Sequence, residues 1–219
     1  MKRTMITLIS VAVLMSVTAG TGSAATIWRG GDIACSYAQF PIGSFAGAFI
    51  STGTMITEEG QFLPSGSAAA AAGVAGGWSL GLFGITQGEV KGEVDLIVLV
   101  VNSDTGIPEP GTWTGSLADD TVFAVLMLGV RDLVLPTDLD PAGLEDLLGT
   151  IDADHKFFGV SSEVTIDVVG DTQLSGTFSG MFADESLLVI SIADGTFVLA
   201  DGVTPTETAT WSSVKSRWR

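Results

Sequence analysis

The side chains best suited to chemistry lie on both sides of one predicted helix. Asp138 and Asp140 precede this helix, and Asp152, Asp154 and His155 follow it. Because carboxylates at alternating positions suit a hard cation such as calcium, the four aspartates are candidate metal ligands. Helix capping and a solvated acidic loop account for the same residues, and we favour this simpler interpretation.

The EF-hand and serine-triad motifs are both incomplete in this sequence, so neither supports an enzyme or a metal site. An EF-hand loop begun at Asp138 has the required Gly143 but places Ala142 and Gly149 at ligand positions. His155 is the only histidine, and no G-x-S-x-G motif supports a serine triad built on it. We therefore predict no catalytic residue and no cofactor, and we expect the His155 imidazole to lie in a surface loop.

Two carboxylate pairs leave an enzymatic alternative open. Glu163 with Asp167, or Asp184 with Glu185, could act as glycosidase carboxylates. Nothing in the sequence places either pair across a cleft. A hydrolase or isomerase of unrecognised type therefore stays an alternative to a non-catalytic role.

The helix between the acidic groups is predicted to be short, over residues 140–148. Asp140 can cap it, Pro141 fits its first position, and Gly149 can end it. Its apolar stripe consists of Leu144, Leu147 and Leu148. One such helix on a β-domain usually covers an open end or a sheet edge.

The stretch 174–200 sets the fold class. Phe178 and Phe182 fall on one side of an extended chain, with Thr177 and Ser179 on the other. Residues 183–186 read as a polar turn, after which an apolar arm resumes. This pattern predicts a β-hairpin with a buried second arm.

A similar pattern lies 65 residues upstream. Gly111–Leu117 is followed by the acidic turn 118–121 and then by the apolar run Val122–Leu128. Gly43–Phe49 is a weaker third copy. We predict a repeated β-unit, in which Trp113 and Phe178 face a shared interior.

Together these patterns predict one all-β domain over residues 26–214, a β-sandwich or closed barrel of about ten strands with the capping helix. Residues 61–88 contain no charged side chain and many small ones. We expect a small-residue loop or short helix there, leading into a strand from about Trp78 to Thr86.

The first 25 residues indicate export. Lys2 and Arg3 precede an uncharged apolar run, and small residues follow it up to Ala25. This is the pattern of a secretory signal peptide, and the apolar run is too short for a membrane-spanning helix. We predict a secreted or periplasmic protein from a bacterium, with no stable transmembrane anchor after the signal is removed.

The charge distribution limits the partners. All 25 acidic residues lie between Asp32 and Glu207, where only Lys91, Arg131 and Lys156 oppose them. So acidic a body repels phosphate backbones, which excludes nucleic acid as a partner. Solubility alone explains the acidity, but divalent cations or basic envelope components would also suit it.

Three features complete the description of the exported chain. Residues 215–219 form a basic C-terminal tail. Cys35 is the only cysteine, so an intramolecular disulfide is excluded, and we expect a buried thiol. Of five tryptophans, we expect about three to fill the core.

Residues 162–198, with EVTIDVV, LSGTFSG and VISIADGTFVL, resemble the C-terminal half of small exported β-domains found in bacterial lipoproteins and surface proteins of uncharacterised function. The resemblance implies a sandwich or barrel at the cell envelope, without an activity. The chain lacks the lipidation cysteine of such lipoproteins.

We therefore predict a non-catalytic envelope or extracellular protein that binds, assembles with itself, or contacts another envelope component. A barrel-type carrier of a small apolar ligand is the first alternative.

Overall fold

A computed structural model describes residues 26–57, 63–74, 77–104, 108–116, 121–133 and 151–200. Within these ranges the chain forms eleven β-strands. They are β1 (Thr26–Trp28), β2 (Gly30–Gln39), β3 (Ala46–Thr54), β4 (Gly66–Val74), β5 (Gly77–Gln87), β6 (Val94–Ser103), β7 (Gly111–Ser116), β8 (Val122–Val130), β9 (His155–Val169), β10 (Gln173–Ala183) and β11 (Val189–Ala200).

Nine of these strands close into a barrel. The order around it is β4-β3-β2-β11-β10-β9-β8-β6-β5, and β5 pairs with β4 to complete the circle. β1 and β7 are extra strands that pair with β4 and β9 respectively. The prediction of an all-β sandwich or closed barrel is therefore confirmed, and the barrel is the form adopted.

Alternating side chains fill the barrel interior. Every second residue of each strand points inward, so apolar residues at these positions form one continuous cluster. Phe178 belongs to it, and Trp113, which is half-buried, packs against it from the same side, so both rings face the interior as predicted. The largest side chains in it, each at most 1% exposed, are Trp28, Trp78, Phe49, Phe157, Phe182 and Phe197. Burial of each ring contributes on the order of 2–3 kcal/mol.

The outer face of one side of the barrel is buried as well. In β6, Ile97, Leu99 and Val101 point inward, while Val98 and Val100 belong to a second apolar cluster on the outside. Outward residues of β4, β5 and β8 join this second cluster. Burial on both faces explains why these strands are continuous apolar runs rather than alternating ones.

Of the two hairpins in the predicted repeat, one is confirmed and the other is wrong. β10 and β11 form the predicted hairpin, with register from Gln173↔Ala200 to Ala183↔Val189. β7 and β8 instead lie one after the other along the same edge of β9. The acidic segment between them therefore joins two partners of β9 and does not reverse the chain.

The prediction of a loop or short helix before Trp78 is wrong at residues 66–74, which form β4. Ala69 and Ala71 face the interior beside Trp28 and Trp78, whose rings occupy the available volume. Ala68 and Ala70 face outward and are equally buried. Packing on both faces thus overrides the helix propensity of alanine.

The described residues contain no helix, and none of them forms one long and apolar enough to cross a membrane. The capping helix predicted at residues 140–148 lies outside those ranges and is not confirmed. The predicted signal peptide (1–25) and basic tail (215–219) also lie outside them.

Candidate functional site

Arg131 brings together two of the four predicted metal-ligand candidates. Its Nε lies 2.9 Å from a carboxylate oxygen of Glu93, and its Nη atoms contact Asp152 at 3.6 Å and Asp154. The backbone N–H of Arg131 also donates to the carbonyl of Asp152 at 2.9 Å. The side-chain hydrogen bonds to Asp154 and Glu93 raise the pKa of Arg131 above its usual value, so the guanidinium stays charged.

A β-bulge in β8 positions this arginine. The register of β6 against β8 shifts just before Val130, and Gly129 adopts φ +65°. The carboxylate of Asp95 accepts the Gly129 N–H at 2.9 Å. Because a Cβ at Gly129 would also collide with Asp154, the bulge requires glycine at this position.

The arrangement does not resemble a calcium site. Asp152 and Asp154 face the guanidinium of Arg131, whose positive charge disfavours a metal cation between them. Within the described ranges, no group of three or more His, Cys, Asp or Glu side chains could hold a metal ion. The other two candidates, Asp138 and Asp140, lie outside those ranges.

His155 does not lie in a loop. It is the first residue of β9, and its Nδ1 lies 3.3 Å from Oδ2 of Asp184 in the β10–β11 turn. Its ring stacks on Phe157 at 5.4 Å and meets the edge of Phe45 at 4.8 Å. The imidazole is therefore held in one orientation, with its side chain 33% exposed.

Asp184 organises the turn that holds His155. Its Oδ1 accepts hydrogen bonds from Ser186 N, Ser186 Oγ and Leu188 N at 2.6–3.0 Å. Burial alone would raise the pKa of Asp184, but the hydrogen bonds from Ser186, His155 and Leu188 outweigh it and lower the pKa. The side chain of Asp184 is thus 9% exposed, and its lowered pKa keeps it negatively charged at neutral pH.

These residues line a surface pocket of about 480 Å³, which we call the His155 pocket. Its walls also include Asp152, Asp154, Lys156 and Glu185. A histidine oriented by an aspartate can act as a general base. Ser186 donates to Asp184 rather than to His155, so the three side chains do not form a serine triad.

Two exposed apolar loop tips stand at the same end of the barrel; we call them the rim tips. Ile42 is 89% exposed and Leu187 is 83% exposed. Their loops are joined by a hydrogen bond of 2.9 Å from Phe40 N to the carbonyl of Val189. Leu187 has φ +65°, a conformation that a leucine rarely adopts.

A second depression, of about 350 Å³, lies on the outer wall formed by β9, β10 and β11. Glu163 and Asp194 flank it. Thr165, Thr177, Ser179 and Thr196, which carry hydroxyl groups, also line it. Asp167, the other member of one carboxylate pair, is exposed on the same strand as Glu163 but does not line the depression.

The sequence contained some signals of this arrangement. Ile42 stands between Pro41 and Gly43, residues typical of a turn, whereas the predicted buried arm wrongly includes Leu187, which lies in the turn and is exposed. Gly129 before Arg131 breaks an apolar run, and such a glycine often marks a bulge. The His155–Asp184 contact had no sequence signal, because it depends on the register between β9 and β10.

No family model matches the chain, and no curated protein is similar to it. Among solved structures, a match is a conserved protein of unknown function with a hot dog fold from Alicyclobacillus acidocaldarius. It is 9% identical, covers 90% of this chain and 86% of that chain, and has a TM-score of 0.20. A likeness this low carries no argument about either fold or function.

Proposed function

We propose that this is an exported bacterial β-barrel with a non-catalytic role, which assembles with a second copy of itself through the rim tips. The observation that carries the proposal is the pair Ile42 and Leu187, the first at 89% and the second at 83% exposure on neighbouring loops. Large apolar side chains so exposed lose contact with water when another surface covers them.

The strained backbone of Leu187 supports the same proposal. A non-glycine residue at positive φ costs on the order of 1–3 kcal/mol and persists only where the surrounding structure holds it, which is commonest at functional sites. Asp184 holds the turn in this conformation through the hydrogen bonds to Ser186 and Leu188. The turn is therefore fixed with an apolar side chain pointing outward.

The filled interior favours a role on the outside of the barrel. Trp28, Trp78 and Phe182 are each at most 1% exposed and belong to the interior cluster. A carrier of an apolar ligand needs a cavity of several hundred Å³ inside the barrel. Native mass spectrometry tests this alternative: an apolar molecule that co-purifies with the protein would favour the carrier.

Sedimentation velocity at increasing protein concentration tests the assembly. We expect the wild type to form dimers or larger species, and the double variant Ile42→Ser/Leu187→Ser to stay monomeric. The matched control is Val168→Ser/Val198→Ser, because these valines are also exposed, at 42% and 51%, but lie on the barrel wall. Equal association of all three proteins would refute the role of the rim tips.

The His155 pocket supports a second candidate, a hydrolase or isomerase that uses acid–base chemistry. The supporting observation is the contact of 3.3 Å between His155 Nδ1 and Asp184 Oδ2. If it is correct, a panel of ester and amide substrates will reveal a hydrolysis rate that His155→Gln abolishes. A rate that His155→Gln leaves unchanged would argue against this candidate.

A further inference from the structure

The outer wall of β9, β10 and β11 is negatively charged and suits a basic ligand. β10 and β11 contain no lysine or arginine. The only such residue in β9 is Lys156, the second residue of that strand. Glu163 on β9 and Asp194 on β11 stand two strands apart, about 10 Å across the sheet. Both residues line the depression, so a cationic ligand there would lie near two carboxylates.

Asp194 is fixed in place and ionised. It accepts hydrogen bonds from Ser36 N at 2.9 Å and from Ser36 Oγ at 3.0 Å. These bonds lower the pKa of Asp194, the backbone bond contributing most. The hydroxyl groups of the threonine and serine residues at the depression can accept further N–H bonds from a guanidinium or ammonium group. The depression therefore offers oxygen acceptors to a positively charged side chain.

The chain itself contains a suitable segment. Residues 211–219, sequence WSSVKSRWR, include Lys215, Arg217 and Arg219 at alternating positions. Bound in extended form, such a segment presents all three cations on one face. Its charge is complementary to that of the wall.

The segment can reach the depression of its own barrel. β11 ends at Ala200, and Thr196 in the depression lies about 13 Å back along the same strand. Lys215 follows Ala200 by 15 residues, a length that spans up to about 50 Å. Tethering of this kind gives an effective concentration on the order of millimolar, far above that of free protein.

The other acidic pocket is a poorer partner for the segment. The His155 pocket already contains Lys156, and its Asp154 pairs with Arg131. It also lies beside the turn before β11, at the far end of that strand from Ala200.

We infer that the basic segment Trp211–Arg219 docks into the depression between Glu163 and Asp194 on the wall of its own barrel. The docked segment covers that face and competes there with other basic partners. This face is separate from the rim tips, so either proposal can fail while the other stands.

Fluorescence anisotropy with a labelled peptide of residues 211–219 tests the inference. The host is the full chain with Lys215, Arg217 and Arg219 changed to Gln, whose depression is then open. We expect the peptide to bind this host and to bind the unaltered chain at least about three- to tenfold more weakly, because the tethered segment occupies the site. Added salt should weaken binding to the host.

In the same host, Glu163→Gln/Asp194→Asn should weaken peptide binding about three- to tenfold, as expected for two exposed charge contacts. The matched control is Glu89→Gln/Glu185→Gln. It removes the same charge from loops outside the depression and should leave the affinity for the peptide unchanged. An equal loss of peptide affinity in the control would show that the peptide responds only to the net charge of the protein, and it would overturn the inference. Equal peptide affinity of the host and the unaltered chain would overturn it too.

Discussion

Trp113 and Phe178 face the barrel interior from either side of Val164, with which both are in register on the sheet. Their strands lie 65 residues apart in sequence and are brought together by β9 alone. The Trp113 ring also meets Trp78 edge-on at 5.3 Å. Rings from three distant segments thus share one layer of the core, which makes the barrel a single cooperative unit.

Shortening a core ring should destabilise this unit strongly. Phe182 is fully buried in the interior cluster. We expect Phe182→Ala to lower the free energy of unfolding by about 3–5 kcal/mol, because it removes apolar contacts and leaves a cavity. Chemical denaturation measures the change. Val198→Ala, at a position 51% exposed, is the control and should stay within about 0.5 kcal/mol; similar effects of both changes would contradict the interior assigned to Phe182.

Glycine at position 176 is required by the close approach of two strands. A Cβ there would overlap the carbonyl oxygen of Thr165 and come within 2.6 Å of the Phe197 ring. We expect Gly176→Ala to cost about 1–3 kcal/mol of stability, as overpacking does. In Gly170→Ala the nearest atom to the new Cβ would be 3.9 Å away, so this variant should be nearly neutral in the same denaturation experiment. A neutral Gly176→Ala would show that the register of β9 and β10 is different.

The Cys35 thiol should be unreactive in the folded protein. It is 5% exposed, as the buried thiol predicted from the sequence requires, and burial raises its pKa to about 12. Since the thiolate is the reactive form, we expect a colourimetric thiol reagent at neutral pH to modify Cys35 only after denaturant is added. Rapid modification of the native protein would contradict this packing.

Asp184 should make stability depend on pH. Because its pKa is lower in the folded protein than in the unfolded chain, it stabilises the fold above the ordinary carboxyl pKa. This contribution is lost as the pH falls through the folded-state pKa. We expect the difference in Tm between wild type and Asp184→Asn to be largest near neutral pH and to shrink once the pH falls below the ordinary carboxyl pKa.

Glu185→Gln is the control for the Asp184 experiment, because Glu185 is the exposed neighbour of Asp184 in the same turn. Its effect on Tm should be small at every pH. A difference between wild type and Asp184→Asn that does not change with pH would show that Asp184 acts through packing alone.

Local patterns predicted those elements that bury one face. The alternation around Phe178 indicated β10 correctly, because a strand with one face in the core repeats every two residues. Cys35 and about three tryptophans are predicted in the core; the structure buries Cys35, Trp28 and Trp78 there, and Trp113 packs against it half-buried.

Strand pairing and strand burial on both faces could not be predicted. The segment between β7 and β8 is similar in sequence to the turn between β10 and β11, yet only the second joins strands that pair with each other. The difference comes from β9, whose 15 residues offer one edge to both β7 and β8. The alanines of β4 are small enough to fit between two buried faces. Because a run of small residues carries no periodic signal, its sequence predicts a loop or helix instead of a strand.

The candidate site was likewise predictable in its local residues but not in their partners. The grouping of Asp152, Asp154 and His155 was visible as a local cluster, but their partners were not. Arg131 and Asp184 reach them only through the bulge in β8 and the register of β9 against β10. Contacts set by register therefore decided that this cluster forms ion pairs.

Photo-crosslinking from position 187 tests the assembly most directly. A photoreactive amino acid replaces Leu187 in the purified protein, and the mass of the product is measured after irradiation. The account predicts a covalent dimer with a crosslink to the rim tips of a second copy, and none when the same amino acid replaces Val198 on the wall. Only monomer from position 187, or equal dimer from both positions, would contradict it.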